Sequence, residues 1–260
     1  MSCPETSLDS FHAGAFHLVQ PKGWGYRAGL DALLLAASIP PDMGGRAVDL
    51  GAGAGAAGFA LASRRSASHV LLVERDPAMA DLARRSAALA LNEALADRLG
   101  VAEIDVLSPR SAREAAGLGE GAFSLVVSNP PFHPAGGRTS PDPRRHAALS
   151  MPEPDFLPRW IAVAASLLQR NGVFAMIARP DNLGDILAGA RNRLGDLRIA
   201  PVHPVEGRPA KRILVHGRKG SRAPLSLLPP VVLRDAQSHP LPLEAEIGAG
   251  TATIDLGLLS

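Results

Sequence analysis

Five short apolar runs, at residues 46–50, 69–73, 99–104, 122–127 and 172–178, recur through the middle of this chain, each parted from the next by helical spacing. Runs of that length without polar alternation fit strands buried on both faces, and helical crossovers between them require parallel pairing. Helices are expected over 54–63, 77–92, 111–116, 155–169 and 182–194, the second opened by Pro77 in its first turn. Two further strands, 197–203 and 212–216, are joined by 204–211 and read as an antiparallel hairpin. The pattern predicts an α/β fold whose seven-stranded sheet is mostly parallel and ends on an antiparallel strand.

Outside this core, residues 1–20 read as a short strand or hairpin. Residues 28–38 place Leu30, Leu33, Leu34 and Ala37 at helical spacing, and Pro40-Pro41 ends that run. Three regions follow: an N-terminal segment (1–45) whose helix packs over a ligand site, the α/β domain (46–220), and a proline-rich C-terminal extension (221–260). The extension is expected as a strap on the domain or a free tail.

The first βα turn is Asp49-Leu50-Gly51-Ala52-Gly53-Ala54-Gly55. In open α/β sheets ligands bind beyond the carboxyl ends of the strands, where glycines let a ligand approach the backbone. Gly53, Gly55 and Gly58 satisfy G-x-G-x-x-G, and Glu74 ends the second strand, so a nicotinamide dinucleotide enzyme is a serious rival reading. Three features weigh against it. Asp49 directly before the glycines suits a cationic ammonium better than a pyrophosphate. Asp105 follows the third strand, where it can accept a hydrogen bond from an adenine amino group. The fourth strand runs into Ser128-Asn129-Pro130-Pro131-Phe132. Two consecutive prolines stop that strand and hold Asn129 rigidly at its end. An Asn side-chain oxygen and a neighbouring carbonyl can together accept both hydrogens of a planar amino group, and Phe132 offers a face for stacking a base. Taken singly, Asp49 could cap the turn, Glu74 could sit on a solvated edge and Asp105 could be structural; in order on successive strand ends they read as one crevice.

These residues resemble class I S-adenosylmethionine-dependent methyltransferases with an N-P-P-[FY] motif, which act on exocyclic or amide nitrogens. The segment Gly25-Tyr26-Arg27-Ala28-Gly29-Leu30-Asp31-Ala32-Leu33-Leu34-Leu35 is similar to the bacterial tRNA1(Val) adenine N6-methyltransferase family, and the likeness spans roughly residues 12–220. It implies a Rossmann-like class I fold with S-adenosyl-L-methionine as cofactor. Asp49, Gly51, Ala52, Gly53, Glu74, Arg75, Asp105 and Asn129 would bind the cofactor, with Tyr26 and Asp31 closing over its methionine end. Asn129, Pro130, Pro131 and Phe132 would form the catalytic motif. Phe132, Arg138, Arg144, Arg145, Lys211 and Arg212 would meet the substrate, with Lys22 and Trp24 on the rim. The implied acceptor is adenine N6 in tRNA. The same motif serves rRNA guanine and protein-glutamine methylation, and a noncatalytic RNA-binding module on this fold is a further alternative.

Composition narrows the surroundings. A net charge of +2 gives a weak overall field, so charge alone does not diagnose RNA binding. The lone Cys3 excludes an intramolecular disulfide and a thiolate zinc site. His12, His133, His146 and His203 lack metal-ligand spacing, and no metal is expected. Residues 1–20 contain no Lys or Arg, and no apolar stretch approaches a membrane span. A cytoplasmic protein without a membrane segment is the expectation.

Overall fold

The computed structural model describes residues 5–64, 69–131, 151, 153 and 155–257. A hairpin of β1 (Thr6–Phe11) and β2 (Phe16–Pro21) opens the chain, followed by α1 (Leu30–Ala37). The alternating core then runs β3 (Arg46–Leu50), α2 (Ala56–Arg64), β4 (His69–Glu74), α3 (Pro77–Ala87), α4 (Glu93–Ala96), β5 (Leu99–Glu103), α5 (Arg110–Ala115) and β6 (Phe123–Ser128). Beyond it come α6 (Phe156–Leu167), β7 (Leu168–Ala178), α7 (Leu183–Ala190), β8 (Leu194–His203) and β9 (Arg212–Lys219). The C-terminal extension supplies β10 (Ser226–Leu227), β11 (Val231–Val232) and α8 (Pro242–Ala249).

Strands β3 to β9 form the expected mostly parallel sheet, in the order β8-β9-β7-β6-β3-β4-β5, with β9 antiparallel to both neighbours. The sheet is wider than the seven strands expected, because β10 and β11 both add in parallel to β8. Two-residue strands flanked by prolines carry no periodicity, so nothing in the sequence pattern announced them.

Side chains alternate between two cores. Ala47, Leu125, Val127, Val173, Ala175 and Ile177 face α1 and α2, and the extension closes the same core with Ile247, Ile254 and Leu256. Val48, Leu50, Val126, Phe174 and Met176 face α6 through Trp160 and Ile161. Full burial of such side chains contributes about 1.5–3 kcal/mol each, which fixes the register because a one-residue slip would exchange the faces.

Helix α3 starts as the sequence requires, with Pro77 at its first position and the Asp76 carboxylate accepting from Ala78 N (2.8 Å) and Met79 N (3.3 Å). It stops at Ala87 rather than at residue 92. Asn92 is drawn instead into the hairpin, where Nδ2 donates to the His17 carbonyl (2.6 Å) and Oδ1 accepts from His17 N (2.8 Å). That tertiary tie, with Leu89 in extended conformation, overrides local helix propensity.

From β3 the chain moves outward to β4 and β5, then returns to lay β6 on the opposite side of β3. The carboxyl ends of β3 and β6 are therefore adjacent, with Leu50 paired to Ser128, and their following loops diverge. This is the topological switch point, where an open α/β sheet leaves a crevice. Among the described residues no helix is long and apolar enough to cross a membrane.

Candidate active site

The crevice at that switch point is a cavity joining the glycine turn to the Asn-Pro-Pro turn. Gly51, Ala52 and Gly53 line it after β3, Glu74 and Arg75 after β4, Asp105 after β5, and Asn129, Pro130 and Pro131 after β6. Tyr26, from the segment before α1, forms part of the same wall.

Asp49 is 1 % exposed, and its Oδ2 accepts from Gly58 N at 2.9 Å, in the first turn of α2. Gly58 permits this approach: a Cβ there would stand 2.1 Å from Leu72 Cδ2 and 3.2 Å from Val70 Cγ1. Burial raises the Asp49 pKa to about 7, partly offset by the Gly58 amide and reinforced by the neighbouring Glu74 charge. Glu74 is also raised, mainly by burial, against the stabilising amides of Asp76, Gly53 and Arg75. Its Oε2 accepts from Gly53 N (2.9 Å) and its Oε1 from Asp76 N (2.8 Å), so the carboxylate braces the glycine turn. Gly53 at φ 58 and Gly51 at φ 73 hold backbone that favours glycine.

The Asp105 Oδ1 accepts from Leu107 N at 2.8 Å, and Oδ2 stands 3.6 Å from Arg75 Nη1. Among the described residues four carboxyl groups, from Asp49, Glu74, Asp76 and Asp105, line the cavity against the guanidinium of Arg75. Such a lining favours a ligand bearing positive charge and hydroxyl groups, and it disfavours a pyrophosphate.

Asn129 follows β6 with its Oδ1 buried and without a hydrogen-bond partner among the described residues. A buried acceptor left unpaired costs about 1–3 kcal/mol. Ser128 below it is spent on structure, donating to the Leu50 carbonyl (2.8 Å) and accepting from Trp160 Nε1 (3.1 Å).

Residues that the sequence patterns did not single out complete the wall: Met79 from α3, Ile104 and Val106 after β5, and Phe156 and Trp160 from α6. The Phe156 and Trp160 rings lie 5.1 Å apart at 39°, and Gly51 faces the indole. Helix periodicity marks such residues only as core, because their role depends on which strand end they reach. Trp160 is one of two tryptophans in the chain. We expect cofactor titration to change the emission of the native protein and to leave Trp160→Phe, which retains Trp24, unchanged. Equal responses in both would place the ligand away from the indole.

Other expected contacts lie elsewhere. Asp31 does not line the cavity; its Oδ2 accepts from Arg212 Nε at 2.8 Å, so these two candidates bind each other and tie α1 to the start of β9. The antiparallel course of β9 puts Lys211 and Arg212 on the same sheet edge as Asn129, with Lys211 exposed. Lys22 pairs with Glu5 at 3.6 Å and Trp24 Nε1 donates to the Glu5 carbonyl at 2.7 Å. Phe132, Arg138, Arg144 and Arg145 lie outside the described residues. Among the described residues no cluster of His, Cys, Asp and Glu could hold a metal ion.

Topology and cavity together define a class I S-adenosylmethionine-dependent methyltransferase. The family model of the methyltransferase small domain matches residues 28–185, more than half of the chain, and the chain belongs to that family. It is similar to a protein of Porphyromonas gingivalis named tRNA1(Val) (adenine(37)-N6)-methyltransferase, 33% identical over 213 residues that cover 79% of each chain. A release factor glutamine methyltransferase of Mycolicibacterium smegmatis is 33% identical over 168 residues, covering 62% of this chain and 56% of that one. Among solved structures, the crystal structure of a predicted O-methyltransferase from Agrobacterium tumefaciens superposes with a TM-score of 0.74 at 36% identity, covering 86% of this chain and 98% of the other.

Proposed function

We propose that this methyltransferase transfers its methyl group to an exocyclic amino nitrogen, adenine N6 of a tRNA. The observation that carries this reading is Asn129 itself, which lines the cavity that also contains the glycine turn and whose buried Oδ1 has no hydrogen-bond partner among the described residues. A hydroxyl acceptor would offer one hydrogen; a planar amino group offers two. The Asn129 oxygen and the Pro130 carbonyl are the pair proposed to take them.

Bound in the cavity, S-adenosylmethionine supplies an electrophilic methyl group on a sulfonium. Asp49 would face the ammonium of its methionine end, Glu74 and Arg75 would meet the ribose, and Asp105 with Ile104 and Val106 would meet the adenine. The adenine amino group of the acceptor is a poor nucleophile because its lone pair is delocalised into the ring. Asn129 and Pro130 hold both hydrogens and aim the lone pair; Pro131 keeps that turn rigid. Positioning of this kind can contribute ~7–11 kcal/mol, so no strong base is needed; the sulfur–methyl bond would break as the nitrogen–carbon bond forms, S-adenosylhomocysteine would leave, and the alkylated nitrogen would then lose its proton to solvent. The acceptor base must be splayed from its neighbours, and Phe132 would then stack on it, an interaction worth about 1–3 kcal/mol. Lys211, with Arg138, Arg144 and Arg145, would meet RNA phosphates. Arg212 is already engaged by Asp31 and would serve there by holding the edge. A tRNA acceptor agrees with a cytoplasmic location.

The raised Asp49 pKa of about 7 has a measurable consequence. Near neutrality the carboxyl is about half protonated, and a cation opposite it favours the ionised form. Cofactor binding should therefore release a proton, and affinity should rise from about pH 6 to about pH 8. Calorimetry in two buffers of different ionisation heat should give different binding enthalpies for the native protein and matching ones for Asp49→Asn. Matching enthalpies for the native protein would remove Asp49 from the cation's side.

Labelled methyl transfer into separated tRNA, rRNA and release-factor protein, followed by nucleoside and peptide mass spectrometry, tests the acceptor. N6-methyladenosine in tRNA is expected. Methylguanosine in rRNA or methylglutamine in protein would move the reaction to another amino group of similar shape.

A further inference from the structure

One wall of the cavity has no regular secondary structure. Residues 22–29 run between β2 and α1 outside any strand or helix, with the Lys22 amide bonded back to the Glu5 carbonyl (3.0 Å), and Gly25, Tyr26 and Ala28 from this stretch line the cavity. Irregular backbone holds one shape only when something outside it fixes that shape.

Here the fixing comes from the N-terminal hairpin. Gln20, at the end of β2, is 1 % exposed, and both ends of its amide are used: Oε1 accepts from Ala28 N at 2.8 Å, and Nε2 donates to Asp9 Oδ2 at 2.6 Å. The same Asp9 oxygen accepts from Arg27 Nη2, while Oδ1 accepts from Ser7 Oγ at 3.0 Å. Arg27 Nη1 reaches Ser7 Oγ at 2.7 Å and the Pro21 carbonyl at 3.0 Å. Register explains the convergence: Ser7 stands directly opposite Gln20, and Asp9, two residues on, shares that face. Arg27 thus bonds to the hairpin while its neighbours Tyr26 and Ala28 line the cavity.

We propose that Ser7, Asp9, Gln20 and Arg27 form a latch by which the hairpin holds one wall of the methyl-donor site in its binding shape, with Gln20 and Arg27 as positioning residues for donor affinity. The inference rests on the reading that this cavity holds the donor. A wall ordered before the ligand arrives spares the ligand the cost of ordering it. The hairpin is anchored separately, by buried Phe16 and Leu18 and by Ser86 Oγ accepting from Val19 N at 2.9 Å. Breaking the latch should therefore loosen the wall and leave the hairpin docked.

The test compares native protein with Arg27→Ala and Gln20→Ala for S-adenosylmethionine Kd, for KM and kcat with tRNA, and for Tm. Each variant should raise donor Kd and KM about tenfold, with kcat at saturating donor within about twofold of native. The Arg27 side chain is 44% exposed, so Arg27→Ala folds even if the buried Gln20 change does not. Asp9→Ala combined with Arg27→Ala should cost little more than Arg27→Ala alone, because both act through one network. Native-like donor affinity in the variants, whatever their Tm, overturns the latch while leaving the cavity reading intact. Failure of the native protein to bind the donor, or donor binding that Asp49 and Gly53 substitutions do not affect, overturns the cavity reading and the latch with it.

Discussion

Asn129→Ala should reduce methyl transfer about 10³-fold while leaving S-adenosylmethionine affinity within a few fold of native. The two quantities separate because the proposal gives the Asn129 oxygen to the acceptor, and the glycine turn, Asp49 and Glu74 to the donor. Truncation removes the buried Oδ1 that has no partner among the described residues, so it also relieves a desolvated acceptor. Stability should hold or rise slightly. A stable but inactive variant is the signature of a group kept for chemistry at the expense of folding. Single-turnover transfer and calorimetric donor binding on the same preparation read both quantities. Parallel loss of transfer and donor affinity would make Asn129 a cofactor ligand instead.

Gly58→Ala should give the largest structural effect at the site, at about 2 kcal/mol of destabilisation. The new Cβ would fall 2.1 Å from Leu72 Cδ2 and 3.3 Å from Asp49 Oδ2. Leu72 is fully buried beneath α2 and has little room to turn aside. Alanine ordinarily favours a helix over glycine by about 1 kcal/mol, so the sign is informative: a net loss means the clash outweighs propensity. Pushing α2 outward also lengthens the Gly58 N to Asp49 Oδ2 bond, which holds the carboxylate in place. Donor affinity should therefore fall about tenfold alongside Tm. A variant as stable as native with unchanged affinity would mean that Leu72 repacks freely and that Asp49 does not depend on this helix.

The fold was legible wherever sequence neighbours decide structure. β3 falls at residues 46–50 as its apolar run indicates, and α3 begins where Pro77 places a first turn. Legibility failed where distant contacts decide. The end of α3 depends on Asn92 meeting His17 across the hairpin, and the two added strands depend on the edge of β8 being available. Helix α8 escaped notice because it is short and brings only the buried Ile247 and the partly buried Leu243 to the core.

The site divides the same way. Its strand-end residues could be read because an α/β sheet brings successive carboxyl ends together, whatever lies between them. Phe156, Trp160 and Met79 could not, since their arrival at the cavity depends on how α6 and α3 pack. Asp31 and Arg212, separated by 181 positions, were expected to meet different ligands, and only the folded chain shows that they meet each other.

A structure of the protein with S-adenosylhomocysteine and an adenine acceptor measures the central claim most directly. We expect the homocysteine against Gly51 and Gly53, with the acceptor amino group within hydrogen-bond reach of both Asn129 Oδ1 and the Pro130 carbonyl. Homocysteine bound away from the glycine turn, or an Asn129 amide out of hydrogen-bond reach of the acceptor in that ternary complex, would contradict it.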